Sequence, residues 1–362
     1  VLKSKTSESI CTDLKKLGYS THAVHNNEAT FYGRNTVFSN IGFDTFCSME
    51  YMNGLTDSPN GWSNDDVLSR EIMKTLDSTS GPDFTMAITV QSHGKYDGIA
   101  LDDPTIKVTG APERKEQAYE YYVNEIHEVD RMIDTLIKEL SNRKEETVLV
   151  LYGDHLPSLD IQKDDLSNAN LYQTQYVVWD NMNLKKKTKN LHAYQLYAEV
   201  LDRIQIHEGM ITKYHQQTKH RSKLYLTGLT TLSYDLLYGD NYAYDGENPF
   251  KQTELQMGTE PVKLTSVQKT KSGYRVVGSG FTPYCKVYYD GTLVESEWIS
   301  SGCLQLQDEF ELDEADKKDS GEQETEVTEP RDVPNAFVVE VQSDDGVVLS
   351  STQAYPASQV KK

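Results

Sequence analysis

Two residues with metal-binding side chains follow a short hydrophobic segment that is predicted to be a buried strand. Residues 147–152 consist mainly of β-branched residues and leucine, and Gly153 then leads into Asp154, His155 and Pro157. In open α/β sheets, ligands bind at the carboxyl ends of the strands. A carboxylate oxygen beside an imidazole nitrogen suits Mn²⁺, Mg²⁺ or Zn²⁺. The alternative is that Asp154 caps the next segment and that His155 is an ordinary polar loop residue.

Two further predicted strand ends deliver an imidazole or a guanidinium group. His93 follows the apolar run 84–90, where an imidazole can bind a phosphate or act as a general acid. His25 ends the predicted strand 21–25, and Arg34, whose planar fork matches phosphate oxygens, follows within one loop. Taken singly, each of these residues is also explained as a loop histidine or a surface ion pair. Together, three such strand ends are what metal-assisted chemistry on an anionic substrate requires.

The elements that position these residues alternate between strand and helix over residues 1 to about 240. Predicted strands are followed by predicted helices along this part of the chain: strands at 21–25, 84–90, 147–152 and 176–179, and helices at 7–17, 65–76, 119–140 and 193–204. This alternation is typical of an α/β sheet with helices on both faces. The apolar run before Gly153 suits the centre of a parallel sheet.

The sequence changes character after about residue 250, where helical periodicity disappears. Short strands separated by turn residues are predicted at 262–267, 273–277, 285–289, 304–306 and 336–341. Asp290-Gly291 is a hairpin signal. The pattern predicts a small all-β sandwich and divides the chain into domains 1–248 and 249–362. Residues 308–329, crowded with Asp and Glu, are predicted to form an exposed loop within the sandwich.

Composition limits the classes of partner. Lysine and arginine number 36 and aspartate and glutamate 56, for a net charge of −20, which argues against nucleic acid because a phosphate-binding face should be basic. No segment approaches the roughly 18 apolar residues of a membrane span. Cys11, Cys47, Cys285 and Cys303 form no CxxC pair, which disfavours a zinc cluster. Cys285 and Cys303 either bridge neighbouring strands or remain free thiols, and the start at Val1 suggests a fragment or a processed product.

The order of these motifs resembles the lipoteichoic acid synthase family. Members of that family are sulfatase-like phosphoglycerol transferases of the alkaline phosphatase superfamily. The resemblance covers about residues 1–245. It is carried by short motifs in a fixed order: His25, Arg34, Gly42-Phe43-Asp44, Trp62 with Asp65-Asp66, Gln91-Ser92-His93-Gly94, Tyr152-Gly153-Asp154-His155-Leu156-Pro157, 176–181 and 234–239.

The resemblance implies roles for the residues at the strand ends. Asp154 and His155 match a metal-ligand pair, for Mn²⁺ or Mg²⁺. His25, Arg34 and His93 match residues that contact a phosphoglycerol head group, and Arg34 and His93 are the catalytic candidates. The implied substrate is a phosphoglycerol-bearing lipid or glycan of the bacterial cell envelope.

Two departures from the family pattern bear on activity. Asn27 and Tyr32 are implied substrate-binding residues that stand where some members have Asp and Trp. The nucleophilic Thr and an additional acidic metal ligand of the family lie upstream of the segment that resembles Val1 onward. The resemblance therefore implies a truncated, weakly active or inactive form of an extracellular enzyme, which is attached to the membrane only through an upstream segment.

The C-terminal residues resemble an immunoglobulin-like domain of the IPT/TIG type. The stretches 274–283 and 286–291 carry this second resemblance. Two other functions remain open. One is a sulfatase or phosphonate-type hydrolase, although Cys11 and Cys47 lack the sequence context of a modified sulfatase nucleophile. The other is a non-enzymatic surface-binding fragment.

Overall fold

The computed structural model describes residues 1–111, 113–307, 310–312 and 330–361. The α-helices in this part of the chain are Ile10–Lys15 (α1), Arg34–Asn40 (α2), Val67–Leu76 (α3), Glu113–Asn142 (α4), Leu196–Arg203 (α5), Met210–Gln217 (α6) and Leu224–Leu237 (α7). The first six strands are Ser20–His25 (β1), Thr45–Cys47 (β2), Asp83–Ile88 (β3), Val148–Tyr152 (β4), Tyr176–Asp180 (β5) and Gln256–Met257 (β6). The remaining strands are Lys263–Thr270 (β7), Gly273–Ser279 (β8), Cys285–Tyr289 (β9), Thr292–Val294 (β10), Ser296–Ser300 (β11), Cys303–Leu306 (β12), Ala336–Gln342 (β13), Val348–Ser351 (β14) and Tyr355–Pro356 (β15).

A four-stranded parallel sheet in the order β3-β1-β2-β6 lies at the centre of the N-terminal part. β1 pairs with β3 from Ser20↔Asp83 to His25↔Ile88, so the carboxyl ends of these two strands lie side by side. The helices α1 and α3 pack against β1, and α4 packs against α3. The predicted α/β organisation is therefore confirmed.

Local signals explain where the first helix begins and ends. The hydroxyl of Ser9 accepts hydrogen bonds from the backbone N–H groups of Cys11 and Thr12, and the Thr12 hydroxyl accepts the N–H of Ser9. This capping box starts α1 at Ile10, three residues later than predicted. Gly18, at φ 84°, takes the left-handed conformation that follows the helix.

The predicted place of β4 at the centre of a parallel sheet is wrong. β4 pairs antiparallel with β5, from Val148↔Asp180 to Tyr152↔Tyr176, and the two form a separate two-stranded sheet. Their side chains are half-buried or exposed, and β3 is likewise only partly buried. A run of β-branched residues and leucine favours a strand, but it does not specify the partner of that strand.

Two antiparallel sheets form the C-terminal part. One has the order β10-β9-β13-β14 with β15 also paired to β13, and the other has the order β11-β12-β8-β7. The predicted hairpin is confirmed, because Tyr289 pairs with Thr292 across Asp290 and Gly291, both of which have positive φ. The predicted acidic loop falls mostly on residues 308–309 and 313–329, which lie outside the described residues.

The larger of two hydrophobic core clusters in the described residues runs through both parts of the chain. It joins residues such as Phe46 and Met52 of the N-terminal part to Phe281 and Val287 of the C-terminal part. β6, at 256–257, still belongs to the first sheet, so the chain follows that sheet beyond the predicted boundary at 248. All four cysteines are free thiols, and no described helix is long and apolar enough to cross a membrane.

Candidate functional site

Three histidines predicted as site residues share one arrangement of their rings. Nδ1 of His25, His93 and His155 lies 2.8, 2.9 and 2.8 Å from the backbone carbonyl oxygens of Ile88, Gly94 and Leu156, respectively. A carbonyl oxygen only accepts, so Nδ1 carries the hydrogen in each ring. Nε2 is then the ring atom that can bind a metal ion or accept a hydrogen bond when the imidazole is neutral.

The loops after β3 and β4 bring their predicted site residues together. The ring centroids of His93 and His155 lie 6.3 Å apart, and Trp62 stands edge-on to His93 at 5.3 Å. Gly94 and Ser158 also approach closely, because a Cβ on Gly94 would lie 2.6 Å from Ser158 Oγ. β3 and β4 thus deliver His93 and His155 to one exposed surface although they belong to different sheets.

Asp154 and His155 fit a metal ion only as part of a ligand set. Asp154 Oδ2 lies 3.6 Å from His155 Nε2, and both side chains are exposed. The carboxylate and the imidazole Nε2 are suitable donors for a divalent cation. Within the described ranges, no group of three or more His, Cys, Asp or Glu side chains is placed to hold a metal. The pair can therefore supply two ligands, and further ligands have to come from other groups.

The loop between β1 and α2 holds a second group of predicted site residues. Tyr32 (φ 60°) and Gly33 (φ 70°) form a tight left-handed turn that starts α2 at Arg34. The guanidinium carbon of Arg34 lies 5.1 Å from the ring centroid of Phe31 and 5.7 Å from that of the exposed Tyr32, which is cation–π geometry. Asn27 is almost buried, and its Oδ1 accepts the N–H of the next residue at 2.7 Å.

Burial sets the protonation state of His25. Burial, and then the positive charge of Arg34, lower the pKa of His25 to about 4. His25 is therefore neutral at physiological pH, with Nε2 as an acceptor. A neutral imidazole contributes no positive charge to an anionic ligand, so its expected contact with a head group would be through Nε2 as a hydrogen-bond acceptor. Arg34 is the positively charged residue of this loop, and the Lys3 ammonium lies beside it at Gly33.

The structure thus places the predicted residues in two groups at the same end of the parallel strands. His93, Asp154 and His155 form one group, and His25, Arg34 and Tyr32 form the other, with Asn27 on the same loop. In the described part of the chain no hydrogen bond joins the two groups directly. They are related through β1 and β3, whose ends are adjacent in register.

Several supporting residues were not assigned a role from the sequence. Glu50 is fully buried, and both its carboxylate oxygens lie within 3.3 Å of the Ala29 N–H in the loop that carries Arg34. Asp65 and Gln91 bind each other next to the loop of His93. Trp62 and Asp65 do stand in the quoted motifs, but only the fold shows what they contact.

The N-terminal part of the chain is similar to known proteins. The model of the sulfatase family matches residues 1–206. A protein of Rhizobium meliloti (strain 1021) named for cyclic beta-1,2-glucan modification is 31% identical over 197 residues, covering 49% of this chain and 30% of that protein. Lipoteichoic acid synthase 2 of Bacillus subtilis (strain 168) is 23% identical over 197 residues, covering 54% of this chain and 30% of that protein. The chain thus spans about a third of the length of these curated relatives.

A solved structure supports the fold. The phosphoglycerol transferase GacH of Streptococcus pyogenes, in complex with sn-glycerol-1-phosphate, superposes with a TM-score of 0.51 at 20% sequence identity. The superposition covers 65% of this chain and 66% of that chain. At this level of identity the similarity establishes a common fold.

Proposed function

The chain belongs to the sulfatase family, and from this premise we propose that it is of the phosphoglycerol transferase or phosphodiesterase type. The observation that carries the proposal is the approach of His93 to His155, with Asp154 beside it, at the ends of β3 and β4. Relatives named as a lipoteichoic acid synthase and a glucan modification protein favour a cell-envelope lipid or glycan as the substrate.

Each candidate side chain would make a different contact with a bound phosphoglycerol group. Arg34 supplies a fixed positive charge and a planar set of donors for phosphate oxygens. His93, exposed and with Nε2 turned away from its backbone contact, can donate to a phosphate oxygen when it is protonated. His25 stays neutral, so its Nε2 suits a hydroxyl donor better than an anion. Asn27 and Tyr32 complete the substrate-binding candidates on the same loop.

Asp154 Oδ2 and His155 Nε2 are the atoms that would hold a divalent metal, Mn²⁺ or Mg²⁺, with Zn²⁺ as a further candidate. Members of this superfamily generally use such ions, and a bound ion would supply positive charge at the phosphoryl oxygens. Two protein ligands make a weak site. We therefore propose that the chain by itself binds a phosphoglycerol group but turns it over weakly or not at all.

The proposed setting is the bacterial cell envelope, outside the cytoplasmic membrane. In this setting residues 1–248 form the sulfatase-like part, and residues 249–362 form the immunoglobulin-like β domain that follows it, apart from β6, which adds an edge strand to the sulfatase-like sheet.

Calorimetric titration with sn-glycerol 1-phosphate, with and without Mn²⁺, tests the proposal. We expect binding that strengthens with Mn²⁺. Both His93→Ala and Asp154→Ala should weaken it about tenfold, because each loses a charge-assisted contact or a metal ligand. Asp164→Ala is the matched control, since it removes an exposed carboxylate from the segment after β4. Its affinity should equal that of the wild type.

Two results would contradict the proposal. One is binding that is unchanged in Asp154→Ala and independent of metal. The other is preferential binding and hydrolysis of a glycerol sulfate ester, which would favour the sulfatase alternative.

A further inference from the structure

A fully buried carboxylate connects the ends of the two strands that carry His25 and His93. Asp65 Oδ1 accepts hydrogen bonds from Asn26 Nδ2 at 2.8 Å and from the backbone N–H of Val90 at 2.9 Å. Asn26 directly follows His25 at the end of β1, and Val90 lies just beyond the end of β3. Asp65 is therefore bonded to both strand ends at once.

Gln91 and Asp65 each donate a backbone N–H to the side chain of the other. The backbone N–H of Gln91 lies 3.3 Å from both carboxylate oxygens of Asp65, and the side-chain Oε1 of Gln91 accepts the N–H of Asp65 at 2.8 Å. Asn26 and Asp65 are fully buried and Gln91 is nearly so. Burial raises the pKa of Asp65, but its oxygens accept these N–H groups in either protonation state, and losing them leaves buried N–H groups without an acceptor.

The residues just before Asp65 hold the outer part of the same loop. Asn60 Nδ2 donates to the carbonyl oxygen of His93 at 3.1 Å, and Trp62 Nε1 donates to that of Gly94 at 3.0 Å. Trp62 also contacts the His93 ring edge-on. The loop 90–94 is thus fixed along its length by residues 60–65.

We propose that Asp65 is a positioning residue, which fixes the ends of β1 and β3 relative to each other so that His25 and His93 address the same bound phosphoglycerol group. The ligand named here rests on the proposed function, whereas the fixed position of His93 does not. Asp65 acts only through Asn26, Val90 and Gln91.

The isosteric variant Asp65→Asn tests this role, with Asp66→Asn as its control. Both changes replace a carboxyl group by an amide at adjacent positions, but Asp66 is exposed and makes no capping bond to α3. In Asp65→Asn an amide NH₂ faces the N–H of Gln91. We expect faster amide exchange at Val90 and Gln91 by at least about tenfold, and a shifted ring resonance of His93 in ¹H–¹³C spectra. Affinity for sn-glycerol 1-phosphate should fall about tenfold, whereas Asp66→Asn should stay within about twofold of the wild type.

The two readouts separate this proposal from the proposed function. If the wild type binds no glycerol phosphate while Asp65→Asn still shifts the His93 resonance, the positioning role stands and the ligand is wrong. If the His93 resonance and the exchange of Val90 and Gln91 match those of Asp66→Asn, the positioning role is refuted. Should Asp65→Asn fail to fold, Gln91→Ala removes the side-chain oxygen that accepts the N–H of Asp65. It should shift the His93 resonance and speed amide exchange at Asp65 without changing amide exchange in β13, and a His93 resonance equal to that of Asp66→Asn would refute the positioning role.

Discussion

Asp13 illustrates, at the scale of single residues, how the surroundings set the charge of a side chain. It is fully buried in α1, where its Oδ2 accepts a hydrogen bond from the Thr212 hydroxyl at 3.0 Å. Burial, and then the negative charge of Glu8, raise the pKa of Asp13 from 3.8 to about 7. Between these two pH values the folded state keeps a proton that the unfolded state has released. The contribution of Asp13 to stability is therefore lost as the pH rises from about 4 to 7.

Asp13→Asn removes this titration while keeping the shape of the side chain. We expect the variant to gain stability relative to the wild type as the pH rises, by up to about 1.4 kcal/mol per pH unit between about 4 and 7, with no further gain above. Urea unfolding at pH 4, 5, 6, 7 and 8 measures the difference. Asp130→Asn, at an exposed position of α4, is the control and should give a flat difference. A flat difference for Asp13→Asn would mean that Asp13 is ionised throughout.

The sequence alone predicts some properties of the candidate site residues and not others. The location of His93, Asp154 and His155 just after a strand could be predicted, because each follows a hydrophobic run and ligands bind at strand ends. The low pKa of His25 could not, because it depends on burial and on Arg34 across a loop. The contacts of Glu50 and Asp65 could not be predicted either. In so acidic a sequence, residue type alone does not distinguish a buried carboxylate from one on the surface.

Gly278 shows, at the scale of an element, why a strand in the C-terminal part needs glycine. A Cβ there would lie 1.9 Å from the carbonyl oxygen of Lys263 on β7 and 2.5 Å from the ring of Phe281. We expect Gly278→Ala to destabilise the protein by roughly 1–3 kcal/mol, because the β7–β8 pair has to separate to admit a methyl group. Thermal unfolding measures the loss.

Gly302→Ala is the matched control for this strand. It adds the same methyl group on the neighbouring β12 side, where the nearest atom, the carbonyl oxygen of Gly278, lies 3.4 Å away. Its cost should be well below that of Gly278→Ala. Equal costs for the two variants would show that close approach of the backbone at Gly278 is not responsible.

Elements were predictable where one local signal dominates. β9 has the predicted bounds Cys285–Tyr289, because a short apolar run ends at the Asp290-Gly291 turn. α7 was not predicted, since its threonines and Gly228 weaken helix propensity and its helical state depends on packing against α6. The antiparallel pairing of β4 with β5 was not predicted either, because strand pairing is decided by tertiary structure.

At the scale of the whole molecule, the β sheets are fastened to the part that carries the candidate site. Tyr51 donates from its hydroxyl to Ser350 Oγ at 2.7 Å, and Thr282 Oγ1 donates to the backbone carbonyl oxygen of Glu50 at 2.7 Å in a buried position. Glu50 in turn binds the N–H of Ala29 on the loop that carries Arg34. Together with the core cluster that both parts share, these contacts indicate that the two parts unfold together.

Thr282→Val tests this coupling. The substitution keeps the branched shape but leaves the buried carbonyl oxygen of Glu50 without its donor, which should cost about 1–3 kcal/mol. If the two parts unfold as one unit, native-state hydrogen exchange should show the same loss of protection in β1 and in β13, on opposite sides of the contact. Thr292→Val, on the exposed face of β10, removes a hydroxyl from the same antiparallel region and should change neither. Loss of protection in β13 with β1 unchanged would show instead that the C-terminal sheets open independently. The C-terminal sheets, which contact Glu50 through Thr282, would then be a separate folding unit.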